Sequence, residues 1–231
     1  MREIVLDTET TGLDPLEGHR LVEIGCVELI NRIPTGQTFH SYFNPQRAMP
    51  AEAFAVHGLG DDFLKDKMFF AEMADDLLAF LGDAPLVIHN AAFDLAFLNA
   101  ELERSGRAPL GRERLIDTLL IARRKNPGGP NRLDDLCSRY AIDNSRRTKH
   151  GALLDAELLA EVYVELIGAR QAQLVLSRTG IAGSVVGESI IVRQRLMPLV
   201  PALTVEERLA HRTFIATLGD NAIWRDYVSS D

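Results

Sequence analysis

The sequence predicts an α/β fold, a mixed sheet with helices packed against it, followed by a linker and a partner-binding tail. Three observations predict it. Short apolar or period-two runs separated by Gly, Asn and Pro occupy the segment up to Phe43. Helical periodicity takes over from Phe70 to Gly168. Beyond that, a Gly- and Ser-rich stretch loses all periodicity.

Ile4 to Asp7, Val22 to Leu29 and Thr38 to Phe43 read as three strands, and their short connections imply an antiparallel meander. Helices are expected over Phe70 to Leu81, Asp94 to Ser105, Arg132 to Tyr140 and Ala152 to Gly168, with Leu86 to Ile88 as a buried strand between the first two. The run SRTGIAGSVVGE from Ser177 to Glu188 has the composition of a flexible linker. Thr204 and Glu207 then form a capping box that opens a helix carrying Val205, Leu209 and Ile215 before Gly219 stops it. The expected organisation is a globular domain over 1–170, a linker over 171–188 and a tail over 189–231. So short a tail buries little apolar surface alone; it either docks on the main domain or folds on a partner.

A chain of 231 residues that is 46% hydrophobic can bury a full core, which excludes disorder throughout. No apolar run reaches the length of a membrane span, and the N-terminus MREIVLDTETTG turns charged after three apolar residues, so neither a span nor a signal peptide fits. A cytoplasmic location is expected. Cys26 and Cys137 lack CxxC spacing and read as buried thiols rather than zinc ligands or a disulfide. Net charge is -8, with 33 acidic against 25 basic residues, the wrong sign for tight binding to duplex phosphates. Local cations would have to help: Arg112 with Arg114, the run Arg123, Arg124, Lys125, or Arg146, Arg147 and Lys149. Solvated surface charge is the favoured reading of any one of these taken alone.

Several carboxylates stand in unusual places. If the first strand continues past Asp7, then Asp7 and Glu9 point to the same side, a repulsive pair that a divalent cation would stabilise. If it ends at Asp7, Glu9 is a solvated turn residue. Asp155 lies four residues before Leu159 and seven before Val162, on the apolar stripe of its helix, where an uncompensated charge is costly. Asp94 follows the buried strand and precedes Phe97 and Leu98; helix capping is an open alternative there. Together Asp7, Glu9, Asp94 and Asp155 offer hard oxygen ligands of the kind Mg²⁺ or Mn²⁺ prefers. His150, five residues before Asp155, could swing a neutral imidazole over such a site as a general base.

DTETTG at Asp7 to Gly12, HNAAFD at His89 to Asp94 and HGALLDA at His150 to Ala156 resemble the three motifs of the DEDDh (DnaQ-like) 3'–5' exonucleases. EAFAVHGL from Glu52 to Leu59 and the stretch from Arg132 to Tyr163 extend the resemblance to the family's proofreading members. The resemblance implies an RNase H-like fold and hydrolysis of DNA 3' ends, single-stranded or frayed by a mismatch, with release of nucleoside 5'-monophosphates. It implies that Asp7, Glu9 and Asp155 hold two Mg²⁺ or Mn²⁺ ions, that Asp94 completes the acidic set, and that His150 deprotonates the attacking water. Glu52 and His57 fall where the family contacts the terminal nucleotide, and Asn90 would orient the phosphate or Asp94, or else cap a turn. By the same resemblance Gln171, Leu174 and Leu176 match a sliding-clamp peptide. The tail would bind the catalytic alpha subunit of the replicative polymerase, and a small theta-like subunit is a further partner. Two alternatives remain: an RNA 3'-end trimmer of the same superfamily, and a mainly non-catalytic bridge between polymerase and clamp. A linker and tail argue against the first, an intact carboxylate set against the second.

Overall fold

The alternating runs of the N-terminal segment form β1 (Arg2–Thr10), β2 (Leu21–Ile30) and β3 (Ile33–Tyr42) in a computed structural model that describes residues 1–147, 149–168 and 203–218. Along the chain follow α1 (Ala51–His57), α2 (Asp61–Leu64), α3 (Phe70–Leu81), β4 (Leu86–Ile88), α4 (Ala91–Arg104), β5 (Leu115–Asp117), α5 (Thr118–Lys125), α6 (Leu133–Tyr140) and α7 (Ala152–Leu166). The sheet order is β3-β2-β1-β4-β5. β1 pairs antiparallel with β2 from Arg2 opposite Ile30, and β4 joins the other edge of β1 in parallel, Ile4 opposite Leu86. β5 extends the parallel half. The sheet is therefore mixed and flanked by helices, the RNase H-like architecture that the resemblance implies.

The period-two geometry of β1 distributes its side chains between two cores. Ile4 and Leu6 join Leu77, Leu81, Phe97 and Leu98 of α3 and α4. Val5 turns the other way, onto Ala156, Leu159 and Tyr163 of α7. Both faces of β1 are thus covered, and residues seven and nine follow Val5 onto the α7 side. The β2–β3 connection turns through Asn31 and Arg32, at φ 51° and 70°, as a tight hairpin requires.

Four elements escape the sequence pattern: α1, α2, β5 and α5, each only three to eight residues long. Boundaries move as well: β1 runs on to Thr10, and β3 begins at Ile33 rather than Thr38. α4 starts at Ala91 rather than Asp94, because Asn90 adopts the left-handed conformation, φ 66°, and the carboxylate of Asp117 accepts from the Asn90 and Ala91 N–H groups at 3.3 and 3.2 Å. α7 ends at Leu166. Both cysteines are buried and free.

The described residues fall in two units divided after Leu174, each taken by itself. In the second, α8 (Val205–Thr217) opens with the expected capping box: Glu207 N–H donates to Thr204 Oγ1 at 3.2 Å, and Thr204 N–H to Glu207 Oε2 at 2.8 Å. Val205 and Leu209 are exposed. Gln171, Leu174, Leu176, the expected linker and Gly219 lie outside the described residues. No helix among those described is long and apolar enough to cross a membrane.

Candidate active site

β1 continues through Thr10, so Asp7 and Glu9 share one side of the strand and the solvated-turn reading of Glu9 does not hold. Glu9 is buried. α7 lies over this end of β1 because β2 carries Gly25 opposite Asp7. A Cβ at Gly25 would lie 2.3 Å from the Ala152 and Leu153 backbone, closer than any non-bonded atoms can approach. That close approach brings Asp155, on the first turn of α7, to the carboxylates of β1. Glu9, His150 and Asp155 each offer a ligand atom, and the three atoms lie within 4.8 Å of one another. Gly25→Ala is expected to push α7 off the sheet. Overpacking of this kind costs about 1–3 kcal/mol. A misplacement near 1 Å costs about 100-fold in turnover. Thermal unfolding and single-turnover hydrolysis check the two effects; wild-type kcat in the variant would show that α7 need not sit so close.

Asp94 enters from the other helical layer, buried in the first turn of α4, and accepts a hydrogen bond from the Thr8 hydroxyl at 2.7 Å. It does not occupy the cap position, which belongs to Asn90; the Asn90 side chain in turn makes no capping bond. Gly151, not Asp155, precedes α7. Capping therefore explains neither aspartate.

Electrostatics set these carboxylates apart. Burial, then the charges of Asp94, Glu9 and Asp155, hold the Asp7 carboxyl well above the usual carboxylate range. Burial and the charges of Asp155, Glu23 and Asp94 push Glu9 up to about 8. Glu23 is its cross-strand neighbour on β2. Burial likewise raises Asp94 to about 7, although the Thr8 hydroxyl pulls the other way. Asp155 behaves in the opposite sense. Burial alone would raise it, but the hydrogen bonds of His150 and Arg147 outweigh burial and its pKa is lowered.

Arg147 explains that difference. Its Nε and Nη2 donate to the two oxygens of Asp155 at 2.5 and 2.7 Å, and its Nη1 to Asp134 at 2.6 Å. Its side chain is only 7% exposed. The sequence placed it in a solvated or phosphate-facing cluster; it is a buried counter-charge instead. Arg114 leaves the expected clusters too, because its guanidinium grips the backbone carbonyls of Gly82 and Ala84 at 2.6 and 2.9 Å. Nη2 of Arg147 also lies 2.7 Å from Nδ1 of His150, and a guanidinium only donates. Nδ1 also lies 3.3 Å from Asp155 Oδ2, so the same ring nitrogen faces a donor and an acceptor, and the tautomer follows whichever it engages.

Two cavities border the carboxylates. One, of about 440 Å³, is lined by Thr8, Glu9, Leu13, Glu52, His57 and Phe93 among others. The second, of about 700 Å³, contains Asp7, Asp155 and His150 with Asn90, Arg123 and Arg132. Within the first, Glu52 is exposed and His57 buried, both on α1. His57 Nδ1 accepts from the Leu59 N–H at 3.0 Å, which leaves the proton on Nε2, buried and without a hydrogen-bond partner. Burial keeps this imidazole neutral by lowering its pKa. The loop carrying His150 is tied to the same helix: His150 N–H donates to Val56 C=O at 3.3 Å, and Lys149 lies over the Phe54 ring at 5.1 Å. Thr8, Leu13 and Phe93 line the first cavity and escape pattern reading, since none carries a periodic signal of its own, while Arg147 is read in the wrong setting.

The donor set fits a divalent cation. Three acidic carboxyl groups are held above their ordinary titration range by burial and by neighbouring carboxylates, a crowding that a cation would relieve, and every carboxylate ligand is a hard oxygen. The exonuclease family model matches residues 4–163. Over 222 residues, 94% of this chain and 96% of the relative, the sequence is 46% identical to the DNA polymerase III subunit epsilon of Rickettsia conorii. It is 45% identical to that of Escherichia coli over 237 residues, 97% of each chain. Among solved structures, the nuclease domain of 3'hExo, a DEDDh family member bound to rAMP, superposes with a TM-score of 0.62 at 18% identity over 73% of this chain and 92% of that one. Exonuclease X in complex with 5' overhanging duplex DNA gives 0.55 at 24% identity, covering 72% and 91%. Those two likenesses establish the fold. Family model and relatives together show that the chain belongs to the exonuclease family, the divalent-metal-dependent 3'–5' exonucleases, in the branch of the DNA polymerase III epsilon subunits.

Proposed function

We propose that this chain is the proofreading subunit of a bacterial replicative polymerase and hydrolyses the terminal phosphodiester of a DNA 3' end to release a nucleoside 5'-monophosphate. The observation that carries this reading is the gathering of Asp7, Glu9, Asp94 and Asp155 close enough for their charges to act on one another, with Glu9 pushed up to about 8 and Asp94 to about 7. Oxygens of Asp7, Glu9 and Asp155 would hold Mg²⁺ or Mn²⁺, two ions by the family resemblance, and the bound metal would supply the positive charge that in-line displacement at phosphorus calls for. Asp94, fixed by the Thr8 hydroxyl, completes the acidic set. The terminal nucleoside enters the cavity on the Glu9 side, its base against Leu13 and Phe93 and its sugar hydroxyl within reach of Glu52. His57 then gives its unpartnered Nε2–H to the nucleotide. His150, exposed beside Asp155, takes the proton of the attacking water.

Domain 1–170 carries this chemistry, 171–188 is a linker with Gln171, Leu174 and Leu176 as a clamp-binding peptide, and 189–231 binds the catalytic alpha subunit. The exposed Val205 and Leu209 of α8 offer apolar side chains for that contact. A theta-like subunit joins the nuclease domain. The deciding assay presents 3'-mismatched DNA, matched DNA and RNA ends to the chain with Mn²⁺. Mismatched DNA should be shortened fastest, chelation should stop the reaction, and deletion of 189–231 should spare the nuclease while abolishing binding to the alpha subunit. Preference for RNA ends, or activity unaffected by chelation, would overturn the reading.

A further inference from the structure

We propose that Arg123 and Arg132 form a phosphate track that holds the DNA strand upstream of the scissile bond. This rests on the proposed exonuclease reading, in which the terminal nucleoside occupies the cavity on the Glu9 side. A strand anchored there passes its scissile phosphate over the carboxylates and must continue elsewhere. The 700 Å³ cavity that holds Asp7, Asp155 and His150 is also lined by Arg123 on α5 and Arg132 just before α6, with Asp134, already paired to Arg147, beside them.

Both side chains are available. Arg123 and Arg132 are exposed, and neither guanidinium has a hydrogen-bond or ion-pair partner among the described residues. Other arginines are committed: Arg147 to Asp155, Arg20 to Glu101 and Arg107 to Asp75. In a chain of net charge -8, with an acidic centre that repels phosphate, free cations lining the catalytic cavity have an electrostatic use that surface cations elsewhere lack.

The wall is also built to stay in place. Asn131, itself buried, donates from Nδ2 to the carbonyls of Asn126 and Gly129 at 3.3 and 2.9 Å, closing the loop between α5 and α6. Arg139 fixes it from the other side through Asn131 Oδ1 and the Pro130 carbonyl, at 3.3 and 2.6 Å. His89, at the end of β4, bonds the Thr118 hydroxyl at 2.9 Å and ties α5 to the sheet. The Arg132 N–H is held by Asp135 at 3.0 Å. Two unpartnered guanidinium groups thus project from a fixed frame, the arrangement that suits successive phosphates of a single strand.

Two substrates separate this role from others in the full-length chain with Mn²⁺: thymidine 5'-(4-nitrophenyl phosphate), which has no upstream nucleotide, and a single-stranded oligothymidylate. Arg123→Ala and Arg132→Ala should each raise KM on the oligonucleotide by about 10-fold, as expected for one lost charged hydrogen bond. Each should also make log(kcat/KM) less steep against log salt by about 0.7. Turnover of the small ester should stay within about 2-fold of the parent, since no phosphate contact is lost. Arg124→Ala is the control, because Arg124 lines a different cavity with Arg112 and Leu120, and it should change neither. Equal losses on both substrates would mean a structural role, and an unchanged oligonucleotide KM and salt slope would mean no track; either result overturns the proposal. If the parent chain cleaves neither substrate, the exonuclease reading fails first and the track falls with it.

Discussion

Glu9→Gln is expected to lower nuclease turnover by about 10³-fold or more, the scale on which lost electrostatic stabilisation of a transition state is felt. The same substitution should make the metal-free protein more stable. Glu9 is buried opposite Glu23, and its carboxyl rises from an ordinary value of 4.5 to about 8. A raised carboxyl means that the native state holds a proton which the unfolded chain has already lost. Stability conferred by the neutral form is therefore complete below about 4.5 and falls as pH rises through about 8. Every tenfold change in proton affinity between the folded and unfolded chain is worth about 1.4 kcal/mol, so the loss amounts to a few kcal/mol. Asp94 adds to it in the same direction up to about 7. Gln stays neutral throughout and removes the contribution of Glu9. Tm measured in chelator from pH 5 to pH 8 should fall for the parent chain and fall less for the variant, with Mn²⁺ cancelling the fall in the parent. A parent Tm that climbs over this range without metal would contradict the crowding of carboxylates described above, as would a Glu9→Gln protein that still digests DNA.

The carboxylates behind that expectation are partly legible in the sequence. Asp155 stands out because a helix repeats every 3.6 residues, so its neighbours Leu159 and Val162 locate it on the apolar face before any fold is known. Asp7 and Glu9 need only the continuation of one strand, which β1 supplies through Thr10. Asp94 is ambiguous because the turn before it is closed from a distance. The carboxylate of Asp117, 27 residues from Asn90, receives the N–H groups that would otherwise require a local cap. α1 and α5 are invisible because seven or eight residues hold barely two helical turns, too few for a periodic stripe to stand out. Arg147 misleads for a related reason. A run of charges is judged by its neighbours in sequence, but the groups that bury this guanidinium are Asp134, thirteen residues earlier, and Asp155, eight residues later.

Arg147→Ala is the second substitution with a large expected effect, and its sign depends on the metal. Asp155 is almost completely buried and has the bidentate guanidinium as its main counter-charge. Removing one partner of a buried pair strands the other charge, at a cost of about 3–5 kcal/mol. The Asp155 carboxyl is held below its ordinary 3.8, so the stability it contributes is present above that value and is lost as pH falls through the folded pKa. In chelator at neutral pH the variant should therefore melt well below the parent chain, and its stability should depend less on acid. A divalent ion at the same carboxylates substitutes for the missing charge. At about 100 times its Kd it returns roughly 2.7 kcal/mol, so most of the deficit should disappear in saturating Mn²⁺. Arg147→Lys keeps a positive charge but loses the two parallel hydrogen bonds and should fall between the two. Equal deficits with and without Mn²⁺ would place the ion away from Asp155, and no deficit in chelator would mean that this pair does not support the fold. The metal-dependent difference also bears on turnover. Arg147 Nη2 contacts both Asp155 and His150, so under the proposed mechanism an ion at Asp155 would compete with the one side chain that also engages the proposed base.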